Sequence, residues 1–142
     1  LEWKISEAGN SGIFIRTSED QSQPWMTAVE MQVLDNEKHG NGRVAKTRAG
    51  SLYALIAAPN ESSKKAGEWN QVHLIVKGSH YQFYLNGVKT ADFDVSTQKW
   101  KNMVSKTKFS KMKHFAKNLK GHIGLQDHAD KVWYRNIKIK EL

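Results

Sequence analysis

The sequence predicts an all-β domain, an antiparallel β-sandwich or jelly roll with one short helical insertion near residues 96–120. Three observations carry this reading. Short runs of alternating apolar and polar residues recur along most of the chain, the period of strands with one buried face. Asn86-Gly87 separates two such runs, and this pair suits a tight hairpin in which both central residues take positive φ. Only residues 96–120 abandon the alternation.

Taken in order, the expected strands are "LEWKI" (1–5), "GIFIRT" (12–17), "TAVEMQVL" (27–34), "SLYALIA" (51–57) and "NQVHLIVKG" (70–78). "HYQFYLNG" (80–87), "VKTADFD" (88–94), "HIGLQD" (122–127) and "KVWYRNIKIKEL" (131–142) complete the set. Asn10-Ser11-Gly12 and Gly78-Ser79 read as turns. The irregular segments are 18–26 and 35–49, and the second is polar and long enough to be a functional loop. No internal repeat or linker divides residues 1–142, so one domain is expected.

Composition narrows the function classes. At 39% hydrophobic and 25% charged, the chain reads as globular. No apolar run approaches the roughly 18 residues of a membrane span. Zero cysteines exclude disulfides, thiolate metal sites and a cysteine nucleophile. The chain opens on Leu1 in strand-like sequence, so a processed or trimmed N-terminus is expected. The net charge of +8 is local: residues 99–120 hold eight lysines and no acid, and the charges elsewhere balance. Such a stretch reads as a solvated face rather than a phosphate track, so nucleic acid is not the expected partner. Trp100, Phe109 and Phe115 within it read as packing anchors.

Alternation also assigns faces. With Ile13 and Ile15 inward, Phe14 and Arg16 point outward. With Val29, Met31 and Val33 inward, Glu30, Gln32 and Leu34 point outward. With Ile123 and Leu125 inward, His122, Gly124, Gln126 and His128 share the other face, and Tyr53 joins if Leu52, Ala54 and Ile56 face the core. A solvated sheet face is an ordinary explanation. Yet this face is rich in Arg, Gln, His and Tyr and poor in Lys and Thr, as directional hydrogen bonding to a sugar would require. His73 reads as structural, His80 and His114 as ordinary exposed residues, and His39 as a weak ligand candidate. No HExxH, GxSxG, P-loop or dinucleotide fingerprint occurs. A divalent metal ion stays open as a cofactor, with His128, Glu30, His122 or Asp35 as ligands.

The motifs "NSGIFIR", "VEMQVLDN", "AGSLYALIAAP", "AGEWNQVHLIVKG", "YLNGVKTADFD" and "KGHIGLQDHADKVWYRNIKIKEL" run in order along nearly the whole chain. Together they resemble the 3-keto-disaccharide hydrolase-like domain, with "GHIGLQDH" followed by "VWYRNIKI" the most specific part. The resemblance implies a concanavalin-like jelly roll, a saccharide substrate oxidised to a ketone at C3, and a periplasmic or extracellular bacterial location. It also implies recurrent polar residues at Asn10, Arg16, Glu30, Gln32, Asp35, Tyr53, Gln126, Asp127, His128 and Arg135. Two departures stand out. The family's usual opening strands are absent, so a missing N-terminal segment or a partner chain is expected to complete the sheet. Ala129 replaces the usual glycine, a costly choice if that position needs positive φ.

The chemistry so implied needs a base at C2, a positive centre or donor set at the C3 oxygen and an acid for the group leaving C1. His128 is the expected base, with Glu30 second. Arg16 or a divalent cation would stabilise the enolate. Tyr53 or His122 would protonate the leaving oxygen. Gln32, Asp35, His122, Gln126, Asp127 and Arg135 would hold the substrate. The alternative is a non-catalytic carbohydrate-binding module on the same fold, for which Trp25 and Trp133 would serve as stacking platforms.

Overall fold

Strands form where the alternation is strictest. The computed structural model describes residues 1–59 and 62–141. Its strands are β1 (Glu2–Ile5), β2 (Asn10–Thr17), β3 (Val29–Leu34), β4 (Asn70–Lys77), β5 (His80–Leu85), β6 (Val88–Asp94), β7 (His122–Leu125) and β8 (Val132–Arg135). They make two antiparallel sheets, a five-stranded one ordered β6-β5-β4-β1-β8 and a three-stranded one ordered β3-β2-β7. The all-β sandwich with one short helix is therefore the observed architecture. Its core lies between the sheets: Trp3, Ile5, Tyr81, Phe83 and Leu85 pack in one buried cluster with Ile13, Ile15, Met31 and Val33. Truncating Phe83 to alanine would cost ~3–5 kcal/mol through lost burial and the cavity left behind.

The β5–β6 hairpin turns at Asn86-Gly87, with φ of 51° and 81°, as the pair predicts. Gly78, at φ 58°, turns β4 into β5. The insertion carries helix α1 (Gln98–Val104), capped by the Thr97 side chain, which accepts a hydrogen bond from Trp100 N at 3.2 Å. A 3-10 turn at Lys108–Lys111 follows. Trp100, Phe109 and Phe115 anchor this segment. Trp100 stacks on Phe93 at 5.2 Å between centroids, and Phe109 stacks on Phe115 at 4.2 Å.

Three expected elements differ. Asn10-Ser11-Gly12 is not a turn: these residues begin β2 and pair with Leu34, Val33 and Gln32 of β3. The chain reverses earlier, where Gly9 N donates to Ser6 O at 3.0 Å and Ala8 takes φ 56°. Residues 51–57 are not a strand, because Ala54 at φ 60° breaks the extended run. Only Leu52 bridges β3, at Met31. The last strand stops at Arg135 because Asn136 takes φ 52°, and the residues after it leave the sheet with Ile137 and Ile139 exposed. Leu142 lies outside the described residues.

One flank of the sandwich stays open. β7 and β8 are edge strands there, one from each sheet. Ile123 and Leu125 pair with Ile15 and Ile13 and share their inward direction, yet they are 47% and 39% exposed. An open cavity of about 570 Å³ lies there, lined by Leu125, Gln126, Val132, Trp133 and Tyr134 among others. Among the described residues no helix is long and apolar enough to cross a membrane.

Candidate active site

The pairing of β2 with its two neighbours builds the face. Gly12 lies opposite Gln32, and Phe14 lies between Glu30 and Gly124. Directly opposed residues share a face, so Gly12, Phe14, Glu30, Gln32 and Gly124 form one surface. Two glycines shape it. A Cβ on Gly124 would touch the Phe14 ring at 3.4 Å. A Cβ on Gly12 would collide with the Glu30 carboxyl, which occupies that space. Gly12 thus serves as a cradle for an acid.

Segment 50–53 runs beside β3 and delivers Tyr53. Its backbone N–H donates to the Glu30 carbonyl at 3.0 Å. The 3-10 turn delivers Lys108 to the same place, with its Nζ 4.7 Å from the centre of the Tyr53 ring. An acid, a phenol and an ammonium group therefore meet on this face.

Burial dominates the electrostatics. It pushes the Glu30 carboxyl up to about 7, against the opposing pull of the Lys108 charge. Among the described residues no donor hydrogen-bonds that carboxyl. Tyr53 is raised as well, first by burial and then by the Glu30 charge, so it keeps its proton at neutral pH. A carboxyl near neutrality can both take and return a proton at physiological pH.

The other expected residues divide. Gln32 is on the face but buried beneath it, its Nε2 donating to Asn10 Oδ1 at 2.7 Å. Asp35 is also buried, and its carboxylate accepts from Ala8 N at 2.8 Å and Glu37 N at 3.1 Å, so it fastens the β1–β2 turn. Gln126 is held through its backbone, with N donating to Gly12 O and O accepting from Ser11 Oγ. Asp127 accepts from Ala129 N at 2.9 Å and shapes the loop after β7. His128 is exposed on that loop, and His122 is exposed with Glu19 3.9 Å away. His39 caps a turn by accepting from Asn41 N at 3.1 Å.

Two expectations are corrected. Arg16 does not join Phe14 and Glu30. A bulge between Ile15 and Thr17 shifts the register, Arg16 takes φ 59°, and its guanidinium donates to Gly78 O at 2.7 Å and Tyr81 OH at 3.1 Å. Arg135 belongs to the other sheet, where it pairs with Glu2 and lies 3.9 Å over the Trp69 ring. Three further residues lie around this face without having been expected there: Lys108, Gly12 as a cradle, and Tyr134. The Tyr134 hydroxyl meets Ser11 Oγ at 2.8 Å, and burial pushes it up to about 12. For the metal expectation, no three His, Cys, Asp or Glu side chains converge among the described residues. The cationic charge that bears on the Glu30 carboxyl is that of Lys108.

Comparison with known proteins gives the family and the fold. The family model for the 3-keto-alpha-glucoside-1,2-lyase-like domain matches residues 1–140. The chain is 33% identical to a 3-keto-disaccharide hydrolase of Bacteroides thetaiotaomicron, covering 100% of this chain and 57% of that protein. It thus spans little more than half the length of that relative. Two crystal structures from Parabacteroides distasonis, both of proteins inferred to be glycosyl hydrolases, are similar in fold. One has a TM-score of 0.83 at 25% identity over 92% of this chain and 64% of that one. The other has a TM-score of 0.77 at 26% identity over 100% of this chain and 76% of that one.

Proposed function

Because the chain belongs to the 3-keto-alpha-glucoside-1,2-lyase-like domain family, which relates it to bacterial carbohydrate-acting enzymes, we propose that it cleaves glycosides oxidised at C3, with Glu30 as the base at C2. A ketone at C3 acidifies the C2 hydrogen. Removing that proton gives an enolate, whose collapse expels the group at C1. Later addition of water makes the net reaction a hydrolysis. The observation that carries this reading is the Glu30 carboxyl, raised to about 7, cradled on Gly12 and beside Tyr53. His128, the first expectation for the base, ranks below it here, because an exposed loop imidazole lacks that burial. Tyr53 keeps its proton and can steady the leaving oxygen.

Export to the periplasm or beyond, implied by the resemblance, is part of this proposal. So is a further segment or partner chain covering the open β7–β8 flank, where Ile123 and Leu125 are exposed. A sugar-binding module is less well supported. Trp133 is 42% exposed, but the Lys4 ammonium sits 4.6 Å over its ring and occupies one stacking face.

The test is a 3-keto glucoside bearing a chromogenic leaving group. The protein should release that group, and Glu30→Gln should lose release while remaining folded. Binding without release would favour the module, and full activity of Glu30→Gln would exclude Glu30 as the base.

A further inference from the structure

We propose that Lys108 is a catalytic residue of this elimination, its ammonium group holding the C3 oxygen as negative charge builds there. The inference rests on the reading of Glu30 as the C2 base.

The elimination needs a positive centre or hydrogen-bond donor for the C3 oxygen, and it must lie beside the base because C2 and C3 are bonded neighbours. Arg16, the sequence-based candidate, is committed to Gly78 O and Tyr81 and lies away from the Glu30 face. Arg135 is committed to Glu2 and Trp69 on the other sheet. Lys108 is different. It is the one cation whose charge bears on the Glu30 carboxyl among the described residues. Its Nζ sits 4.7 Å from the Tyr53 ring centre and 5.4 Å from that of Phe109, so aromatic faces aim it. No carboxylate forms an ion pair with it among the described residues. Its turn is fixed from both sides: Thr107 accepts from Phe109 N, and Phe109 is buried. Lys108 remains exposed and so free to meet a ligand. The lysine-rich insertion is thereby more than a solvated face, since one of its lysines is delivered to the Tyr53 ring, whose segment pairs with Glu30.

The steps balance without an oxidant or reductant. The Glu30 carboxylate takes the C2 proton. The C–H electron pair forms the C2–C3 double bond, and the carbonyl pair moves onto the C3 oxygen, where Lys108 meets it. On collapse the C3 carbonyl re-forms, a C1–C2 double bond forms, and the bond from C1 to the leaving oxygen breaks. That oxygen takes its proton from the Glu30 carboxylic acid, which returns to carboxylate.

Lys108→Gln and Lys108→Arg, assayed on the chromogenic 3-keto glucoside, test this. Lys108→Gln should lower kcat about 100- to 1,000-fold with KM within a few-fold, the range seen when one oxyanion donor is removed. Lys108→Arg should recover part of that loss. In Lys108→Gln the carbon-13 titration of the Glu30 carboxyl should also move to higher pH, because an attractive charge has gone. A Lys108→Gln protein with near-normal kcat, with the loss confined to KM, or with an unmoved Glu30 titration overturns the inference and leaves the Glu30 reading standing. Absence of release by the unsubstituted protein overturns both.

Discussion

The Glu30 carboxyl rests on the Cα of Gly12, in the space a β-carbon would fill. Gly12 lies inside β2, and its φ is not among the positive values, so alanine there strains no backbone. The substitution therefore acts through the carboxyl it displaces. Gly12→Ala should reduce turnover of a 3-keto glucoside about 100-fold, the cost expected when a catalytic group moves by about an ångström. Steady-state rates alongside a thermal melt check this. A rate loss no larger than the loss of folded protein would show that the cradle has no catalytic consequence.

The same carboxyl makes stability depend on pH in an unusual direction. Burial raises Glu30 from 4.5 to about 7, so the folded chain holds that proton more tightly than the unfolded chain does. Its contribution is fully present below pH 4.5 and is lost as pH rises toward 7. Glu30→Gln removes the ionisation. The variant should be more stable than the parent at pH 8 by on the order of 2 kcal/mol, with little of that difference left at pH 5. Urea unfolding at the two pH values measures it. An equal difference at both would place the titration elsewhere.

Activity should follow the same group with the opposite sign. The base must be ionised, so kcat/KM should rise with pH through about 7 and level off above it. Any residual release by Glu30→Gln should show no such limb. A limb near the unperturbed carboxylate range would mean that the base in the free protein is a solvated carboxyl rather than the buried Glu30.

How much of this was legible beforehand depends on what each residue's position rests on. Glu30, Gln32 and Phe14 share a face because β2 and β3 pair in regular register, and period-two alternation captures that. Asn86-Gly87 was legible because turn chemistry is local. Arg16 was misplaced because one bulge between Ile15 and Thr17 shifts the register, and nothing in "GIFIRT" announces it. The 51–57 segment has strand composition, but Ala54 enters the left-handed region once Leu52 and Leu55 are both buried. Lys108 was hidden among eight lysines, because tertiary packing of Phe109 and Phe115, not spacing, brings it to Tyr53.

Ala129 follows His128 where glycine was expected, and it takes φ 65°. A β-carbon in that region costs about 1 kcal/mol relative to glycine. Ala129→Gly should stabilise the chain by about that amount in urea unfolding. The Asp127 carboxylate accepts from the Ala129 N–H, a bond that glycine keeps, so kcat should not change. A destabilised Ala129→Gly protein would mean that the methyl group packs against something whose loss outweighs the relief of strain.

Arg16 separates a structural from a catalytic guanidinium. Its two donors reach Gly78 O and Tyr81 OH, and its Cζ lies 5.4 Å over the Tyr81 ring, so it ties the end of β2 to β5 in the facing sheet. Both bonds come from Nη1; lysine keeps the charge but lacks the planar guanidinium that holds this nitrogen in place while lying over the Tyr81 ring. Arg16→Lys should therefore lower stability by about 1–2 kcal/mol, the worth of a charged hydrogen bond plus a cation–π contact. Its kcat on a 3-keto glucoside should stay within a few-fold of the parent, in contrast to Lys108→Gln. Chemical unfolding and steady-state kinetics on the two variants decide the matter together. A large fall in kcat for Arg16→Lys with unchanged unfolding would mean that this side chain leaves Tyr81 and swings to the substrate during turnover.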